Sequence, residues 1–153
     1  MSIVRDAERA AAELLDLLAS RVQDDRLARP LQAAKEDSAR HLGSIDGCLQ
    51  TLRVAVRESR SDIAEGIRRR YETFLAQQPS EHVIDLFTAG TALRLLDFYM
   101  SGYRTLVDWS SSIDEHPCVQ CFKDILTEKQ KVASELDQFS HDIIINNNRN
   151  APA

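Results

Sequence analysis

Apolar residues recur every three or four positions along four long segments of the chain, a spacing that is typical of amphipathic α-helices. The first segment follows Ser2, a reasonable helix cap, and its apolar positions continue to Val22. The second begins near Asp25 and is expected to run to about Val56. Strand signals are nearly absent, because only IIIN near the C-terminus is a β-branched run and no Asn-Gly or Asp-Gly turn separates alternating segments. The pattern therefore predicts an all-α protein.

Two further long helices follow in the second half of the chain. One is predicted to start after the cap Ser80 and to end at the serines 110–112. The other opens at His116, with a proline near its first helical position, and continues to about Ile145. Ser61–Leu75 has the pattern of a shorter amphipathic helix inside the connection between the second and third long helices.

The lengths of the connections predict how the long helices are arranged. A short link joins the helices within each pair, and a long connection joins the two pairs, as in the ferritin-like variant of the antiparallel four-helix bundle. We expect this fold, with the short extra helix in the long connection. Residues 1–146 are predicted to form one bundle domain, and the polar residues 147–153 a disordered tail.

Composition and charge narrow the classes of function. The net charge is −5 and basic residues are mixed with acidic ones, which argues against nucleic acid as a partner. No segment approaches the roughly 20 apolar residues of a membrane span, and the first residues lack the features of a secretory signal. Three cysteines are too few for a disulfide framework. We therefore expect a cytoplasmic protein with reduced thiols and no membrane partner.

Polar residues interrupt the apolar seam of every main helix. They are Glu8 in the first helix, Ser38 and His41 in the second with Asp37 at the edge of its seam, Asp97 in the third and Glu128 in the fourth. Glu8 and His41 lie at similar distances from the first turn, and Asp97 and Glu128 at similar distances from the last, so the antiparallel pairs should bring them to similar depths. The sequence thus predicts one polar layer inside the bundle.

A buried carboxylate must be protonated, paired, hydrated or bound to a metal. Di-iron carboxylate bundles use Glu-x-x-His pairs, but Ser38 precedes His41 by three residues and Lys131 follows Glu128 by three, so that motif is missing. The remaining candidate metal ligands are enough for one divalent ion, iron, manganese or zinc, and too few for a two-metal centre: Glu8, Asp37, His41, Asp97 and Glu128. The interpretation we favour is an internal network of hydrogen bonds and salt bridges without a cofactor.

The sequence HPCVQC places His116, Cys118 and Cys121 at a helix start, where the helix dipole can lower the pKa of a thiol. Zinc binding or redox chemistry is one interpretation. However, a structural zinc site needs a second ligand pair, and both cysteines fall on the apolar seam. We therefore favour small core residues.

With these helices and this seam, the chain resembles the YciF-type ferritin-like proteins, a bacterial stress-associated family without an established activity. The segments that carry the resemblance are DAERAAAELL, LQAAKEDSARHLGSID, DIAEGIRRRYETFL, ALRLLDFYMSGYRTL and FKDILTEKQKVASEL. The resemblance implies a bundle with a small extra helix and a carboxylate-rich centre that can hold metals. Its acidic positions match Glu8, Asp37, Asp97 and Glu128.

Departures from the family pattern affect the function that the resemblance implies. Phe98 and Met100 stand where the family's third helix typically has metal-capable side chains, and Ala39 stands where its second helix has another acid. We therefore expect a non-catalytic structural or partner-binding stress protein, and homodimers through helix faces with Trp109 as a core or contact residue. The alternative is a metal-binding protein or weak oxidase that uses the carboxylate layer.

Overall fold

The computed structural model describes the backbone of residues 2–55 and 61–150, and the side chains of residues 4–55 and 61–145. Every regular element in these ranges is helical, as the sequence predicts. The elements are α1 (Ser2–Ala19), α2 (Asp25–Thr51), α3 (Asp62–Leu75), α4 (Glu81–Ser112) and α5 (His116–Asn150). The helix expected over Ser61–Leu75 is therefore present as α3, in the long connection.

The long helices form two pairs. α1 packs along α2 and α4 along α5, and the pairs meet mainly between α2 and α5, with a smaller contact between α1 and α4. α3 lies against α1 and α4. Near the end of α2, the Cys48 carbonyl oxygen lies 4.0 Å from Sγ of Cys118 at the start of α5. Earlier in α2, His41 meets Glu128, farther along α5, so these two helices run antiparallel.

Large apolar side chains from all the long helices fill the interior. The fully buried ones include Leu14, Leu18, Leu31, Ile45, Leu95 and Phe122. α3 is attached by aromatic contacts, because the ring of Phe74 stacks on that of Phe87 with centroids 3.8 Å apart. The hydroxyl of Tyr71, also buried, lies 2.7 Å from that of Thr88. These contacts fix the short helix on the bundle.

Helix ends differ from the predictions by a few residues. α1 ends at Ala19 rather than Val22, and α2 ends at Thr51 rather than Val56, which lies outside the described residues. Arg53 has a positive φ of 51°. Its N–H and that of Val54 donate to the carbonyls of Gln50 and Leu49, the pattern of a Schellman motif.

The structure has one cap that was not predicted, and one predicted cap makes no side-chain hydrogen bond. Asp24 caps α2, because its Oδ1 accepts a hydrogen bond from the Arg26 backbone N–H at 2.9 Å. Ser80 occupies the N-cap position of α4, but its side chain makes no capping bond.

At the C-terminal end of the described residues, the backbone of α5 is helical through Asn150, four residues into the predicted disordered tail. A formed helix extends at little cost per residue. Residues 151–153 lie outside the described part.

Candidate functional site: a buried polar layer

Glu8 is the centre of the polar layer and is fully buried, with 0% exposure. It lies on the α1 face that packs into the bundle, so its carboxylate has to find donors on other helices. The Tyr103 hydroxyl on α4 donates to Oε2 at 2.7 Å. On α5 the Lys129 ammonium donates to Oε1 at 2.7 Å, and on α2 the His41 Nδ1 lies 3.2 Å from the same oxygen. Four helices therefore converge on one carboxylate.

These contacts determine the charge of Glu8. Burial is the largest single influence on its pKa and opposes ionisation. The hydrogen bond with His41, the charge and hydrogen bond of Lys129 and a smaller contribution from Ser38 together outweigh burial, and they lower the pKa of Glu8 from 4.5 to about 2. Glu8 is therefore ionised at neutral pH and depends on its neighbours for that charge.

His41 links the buried carboxylate to the edge of the layer. Its ring is 3% exposed, and while Nδ1 faces Glu8, Nε2 lies 2.6 Å from Oε2 of Glu128. Ionised carboxylates only accept hydrogen bonds, so an imidazole protonated on both nitrogens satisfies both contacts. His41 thus bridges carboxylates on α1 and α5.

The outer part of the layer is an exposed ion network. The Arg40 guanidinium donates through Nη2 to Oε2 of Glu128 at 2.7 Å and through Nη1 to Oδ1 of Asp37 at 2.8 Å. The side chain of Glu128 is 41% exposed. Although its partial burial acts in the opposite direction, the hydrogen bond and charge of His41, with smaller contributions from Arg40, lower its pKa. The ion pair between Arg40 and Glu128 is screened by solvent, so it contributes less to stability than the contacts of Glu8.

Lys129 is the residue that sequence reasoning missed. It is 4% exposed, and its ammonium lies 5.6 Å from the ring centroid of Tyr103 and 5.7 Å from that of Tyr99. Both distances fall within the range of cation–π attraction. A signal was present in the sequence, because Lys129 lies four residues after Ile125 and three before Val132, on the buried stripe of α5.

The predicted site residues separate into three groups. Glu8, Ser38 and His41 are buried and close together, as predicted. Asp37 and Glu128 lie at the edge of the layer. Asp97 is exposed, so its predicted position on the buried seam is wrong. The inward positions of α4 at this level are taken by other residues, namely Leu95, Leu96, Tyr99 and Met100.

The donor set, as folded, does not fit a metal ion. Both oxygens of Glu8 already accept hydrogen bonds, and both nitrogens of His41 face carboxylates. Within the described residues, no group of three or more His, Cys, Asp or Glu side chains is arranged to hold a metal. The cation that contacts the buried carboxylate is the ammonium of Lys129.

The cysteines lie near one end of this layer. Cys48 and Cys118 are buried and Cys121 is half-buried, and all three are free thiols. The seam position predicted for Cys118 is confirmed. Burial raises the pKa of Cys48 to about 11 and that of Cys118 to about 12, and it also raises the pKa of Cys121. The helix start therefore does not activate these thiols. His116 is exposed.

The fold and its buried layer define a ferritin-like helical bundle. Residues 4–148 match the family described as Domain of unknown function (DUF892), and the chain belongs to that family. A comparison with curated proteins finds no match. Among the helices of the described residues, none is long and apolar enough to cross a membrane.

Solved structures share the fold at low sequence identity. The E. coli stress protein YciF matches with a TM-score of 0.87 and 16% identity, over 94% of this chain and 91% of that one. YcfI from Rhodopseudomonas palustris matches with a TM-score of 0.81 and 16% identity, over 88% and 87%. A protein from Xanthomonas campestris matches with a TM-score of 0.75 and 20% identity, over 93% and 87%. These likenesses show the fold.

Proposed function

We propose that this chain is a non-catalytic structural or partner-binding protein of the stress response, in which an internal ion network occupies the carboxylate-rich centre of the bundle. It acts in the cytoplasm, the compartment that its three free cysteines favour. The observation that carries the proposal is the 2.7 Å contact between the Lys129 ammonium and the Glu8 carboxylate. A resident cation supplies the charge that a metal would otherwise bring.

The charges of the layer support this proposal. Three carboxylates, those of Glu8, Asp37 and Glu128, contact the cations of Lys129 and Arg40 and the ring of His41. Each of the three carboxylates contacts the ammonium of Lys129 or the guanidinium of Arg40, so none of them lacks a cation. A divalent ion added to this set would lie next to an ammonium, and like charges at that distance repel strongly in a buried site.

The competing function is binding of one divalent ion of iron, manganese or zinc, with weak oxidase activity as its extension. One observation favours it: His41 on α2 contacts the carboxylates of both Glu8 on α1 and Glu128 on α5. In this alternative Glu8, His41 and Glu128 would hold the ion, because carboxylate and imidazole are a donor set that these ions accept.

Metal content and metal-dependent stability separate the two functions. The untagged protein is analysed for bound elements, and its melting temperature is then measured with ferrous iron, manganese or zinc under reducing conditions. We expect substoichiometric metal and no rise in melting temperature. About one metal per chain, with a rise that disappears in Glu8→Ala and Glu128→Leu, would establish the competing function. Asp97→Ala is the matched control, because that carboxylate is exposed.

We also propose that the chain forms a homodimer through the outer face of α4. Phe98 and Trp109 are 43% and 42% exposed, and Gly102 and Thr105 lie between them at helical spacing. Two aromatic side chains separated by small residues give a surface on which a second helix can pack closely.

The mass in solution, measured by light scattering after gel filtration, tests this face. We expect a dimer that dissociates in Phe98→Glu and Trp109→Glu. Ile63→Glu on α3 is the control, since Ile63 is also exposed, at 44%, and lies on another helix. A monomeric wild-type protein at all concentrations, or a dimer that both α4 variants retain, would exclude the proposed interface.

A further inference from the structure

A groove of about 710 Å³ opens between α2 and α5 beside the polar layer. Beyond Arg40 and His41 its α2 side is made of small residues, and the three cysteines of the chain all line it. The residues on the α2 side include Ser44, Gly47, Cys48 and Thr51. Cys118 and Cys121 lie on the α5 side. A buried, protein-facing cysteine is usually inert, but here three thiols share one solvent-connected space.

Cys48 is at the centre of this cluster. Its carbonyl oxygen contacts Sγ of Cys118, and Cys121, about one turn farther along α5, lines the same groove. The two thiols of α5 differ in access, because Cys118 is 1% exposed and lies against the Cys48 carbonyl oxygen, whereas Cys121 is half-buried. A small molecule in the groove therefore reaches Cys121 first, with Cys48 on the neighbouring helix as the adjacent partner.

We propose that Cys121 and Cys48 form a peroxide-driven oxidation site that links α2 to α5 by a disulfide. Cys121 attacks the O–O bond of a hydroperoxide, which yields a sulfenic acid on Cys121 and the alcohol, or water when the oxidant is hydrogen peroxide. The Cys48 thiol then attacks the sulfenic sulfur, the S–S bond forms and water leaves. Each disulfide consumes one peroxide, and the two thiol protons end in the released products.

The surroundings of the cluster set the speed of this reaction. The thiolate is the attacking species, and burial keeps these thiols protonated at neutral pH, so the first step is slow. The Cys48 thiol is protonated as well, since burial raises its pKa to about 11, so the second step is also slow. Such a site records prolonged exposure to peroxide rather than a brief pulse. Free thiols in cytoplasmic proteins that form transient disulfides commonly serve as redox sensors.

The position of the bond gives it a structural effect. α2 belongs to the first helix pair and α5 to the second, and these two helices form the main contact between the pairs. A bond from Cys48 to Cys121 therefore joins the two halves of the bundle and restricts the unfolded chain. We expect the melting temperature of the oxidised protein to rise by several degrees.

The test is treatment of the full-length protein with hydrogen peroxide, followed by alkylation, intact mass measurement and peptide mapping. We expect an intramolecular Cys48–Cys121 disulfide, seen as the loss of two hydrogen atoms and reversed by a reductant. Cys48→Ser and Cys121→Ser should abolish it. Cys118→Ser is the matched control and should retain it.

Other products would overturn the proposal. A bond between Cys118 and Cys121, a bond between chains, or accumulation of sulfinic acid without any disulfide would each show that Cys48 does not resolve an oxidised Cys121. Peptide mapping of the wild-type protein gives this answer even if a variant folds poorly. Cys48→Ala, which removes the thiol without adding a hydroxyl to the core, serves as the second variant at that position.

Discussion

The ammonium of Lys129 on α5 and the carboxylate of Glu8 on α1 form an ion pair with a distance of 2.7 Å. Lys129 is 4% exposed and Glu8 is 0% exposed. Removing one member of such a pair leaves the other charge buried without its partner, which costs more than the pair itself contributes. The stability of the whole bundle therefore depends on keeping both charges or neither.

Lys129→Met should destabilise the protein by about 3–5 kcal/mol, because Glu8 then lacks its main cation. Adding Glu8→Gln in the same chain should recover a large part of this loss, since the buried group becomes neutral and still accepts from Tyr103. Urea unfolding of the two single variants and the double variant measures the coupling. Lys131→Met is the control, exposed and expected to change stability by under about 0.5 kcal/mol. Additive effects would show that the pair is not coupled.

Acid should remove the contribution of ionised Glu8 to the free energy of unfolding. Its pKa is about 2 in the folded protein against an ordinary value of 4.5, so its ionised form stabilises the fold above about pH 4.5, and this contribution is lost as the pH falls towards 2. The difference amounts to about 3 kcal/mol. Urea unfolding at several acidic pH values measures the free energy of unfolding of the wild type and of Glu8→Gln. The difference between the two should shrink as the pH falls across this window. A gap that stays constant would contradict the lowered pKa.

Two tyrosines provide a matched comparison of hydrogen bonds. Tyr103 donates to the ionised Glu8 and Tyr71 pairs with the neutral hydroxyl of Thr88, both at 2.7 Å, and both rings are almost fully buried. Tyr103→Phe should cost about 1.5–3 kcal/mol and Tyr71→Phe about 0.5–1.5 kcal/mol, because bonds to a charged acceptor are stronger. Equal costs in thermal and urea unfolding would indicate that Glu8 is not ionised in the fold.

The sequence was sufficient to predict the helices, because their apolar positions recur every three or four residues and a proline beside His116 marks the start of α5. The end of α2 could not be placed the same way. It depends on Arg53 taking a left-handed conformation that usually signals glycine. Because Arg53 is not a glycine, the sequence at that position gives no signal that the helix ends.

The candidate site was predictable in part for a similar reason. Glu8 and His41 interrupt clear apolar stripes, so their burial could be inferred. On α5 the choice between Glu128 and Lys129 is a rotation of about 100° about the helix axis. Glutamate and lysine are both seldom buried without a partner, so this segment alone does not decide between them. The structure places the lysine on the buried seam, because Glu8 across the bundle supplies its partner. That pairing across helices is not visible in either segment alone.

Native thiols should react slowly with alkylating reagents. The pKa of Cys48 is raised by burial from 9.0 to about 11, so at about pH 8 its thiolate fraction is about 100-fold lower than in the unfolded chain. Iodoacetamide labelling followed by peptide mapping should modify Cys121 first, because it is the most accessible, and Cys48 and Cys118 far more slowly. The same protein in urea is the control and should label at all three sites together. If Cys48 is labelled in the native protein as fast as in urea, the groove between α2 and α5 opens freely. The fixed arrangement of thiols on which the proposed Cys48–Cys121 bond depends would then be contradicted.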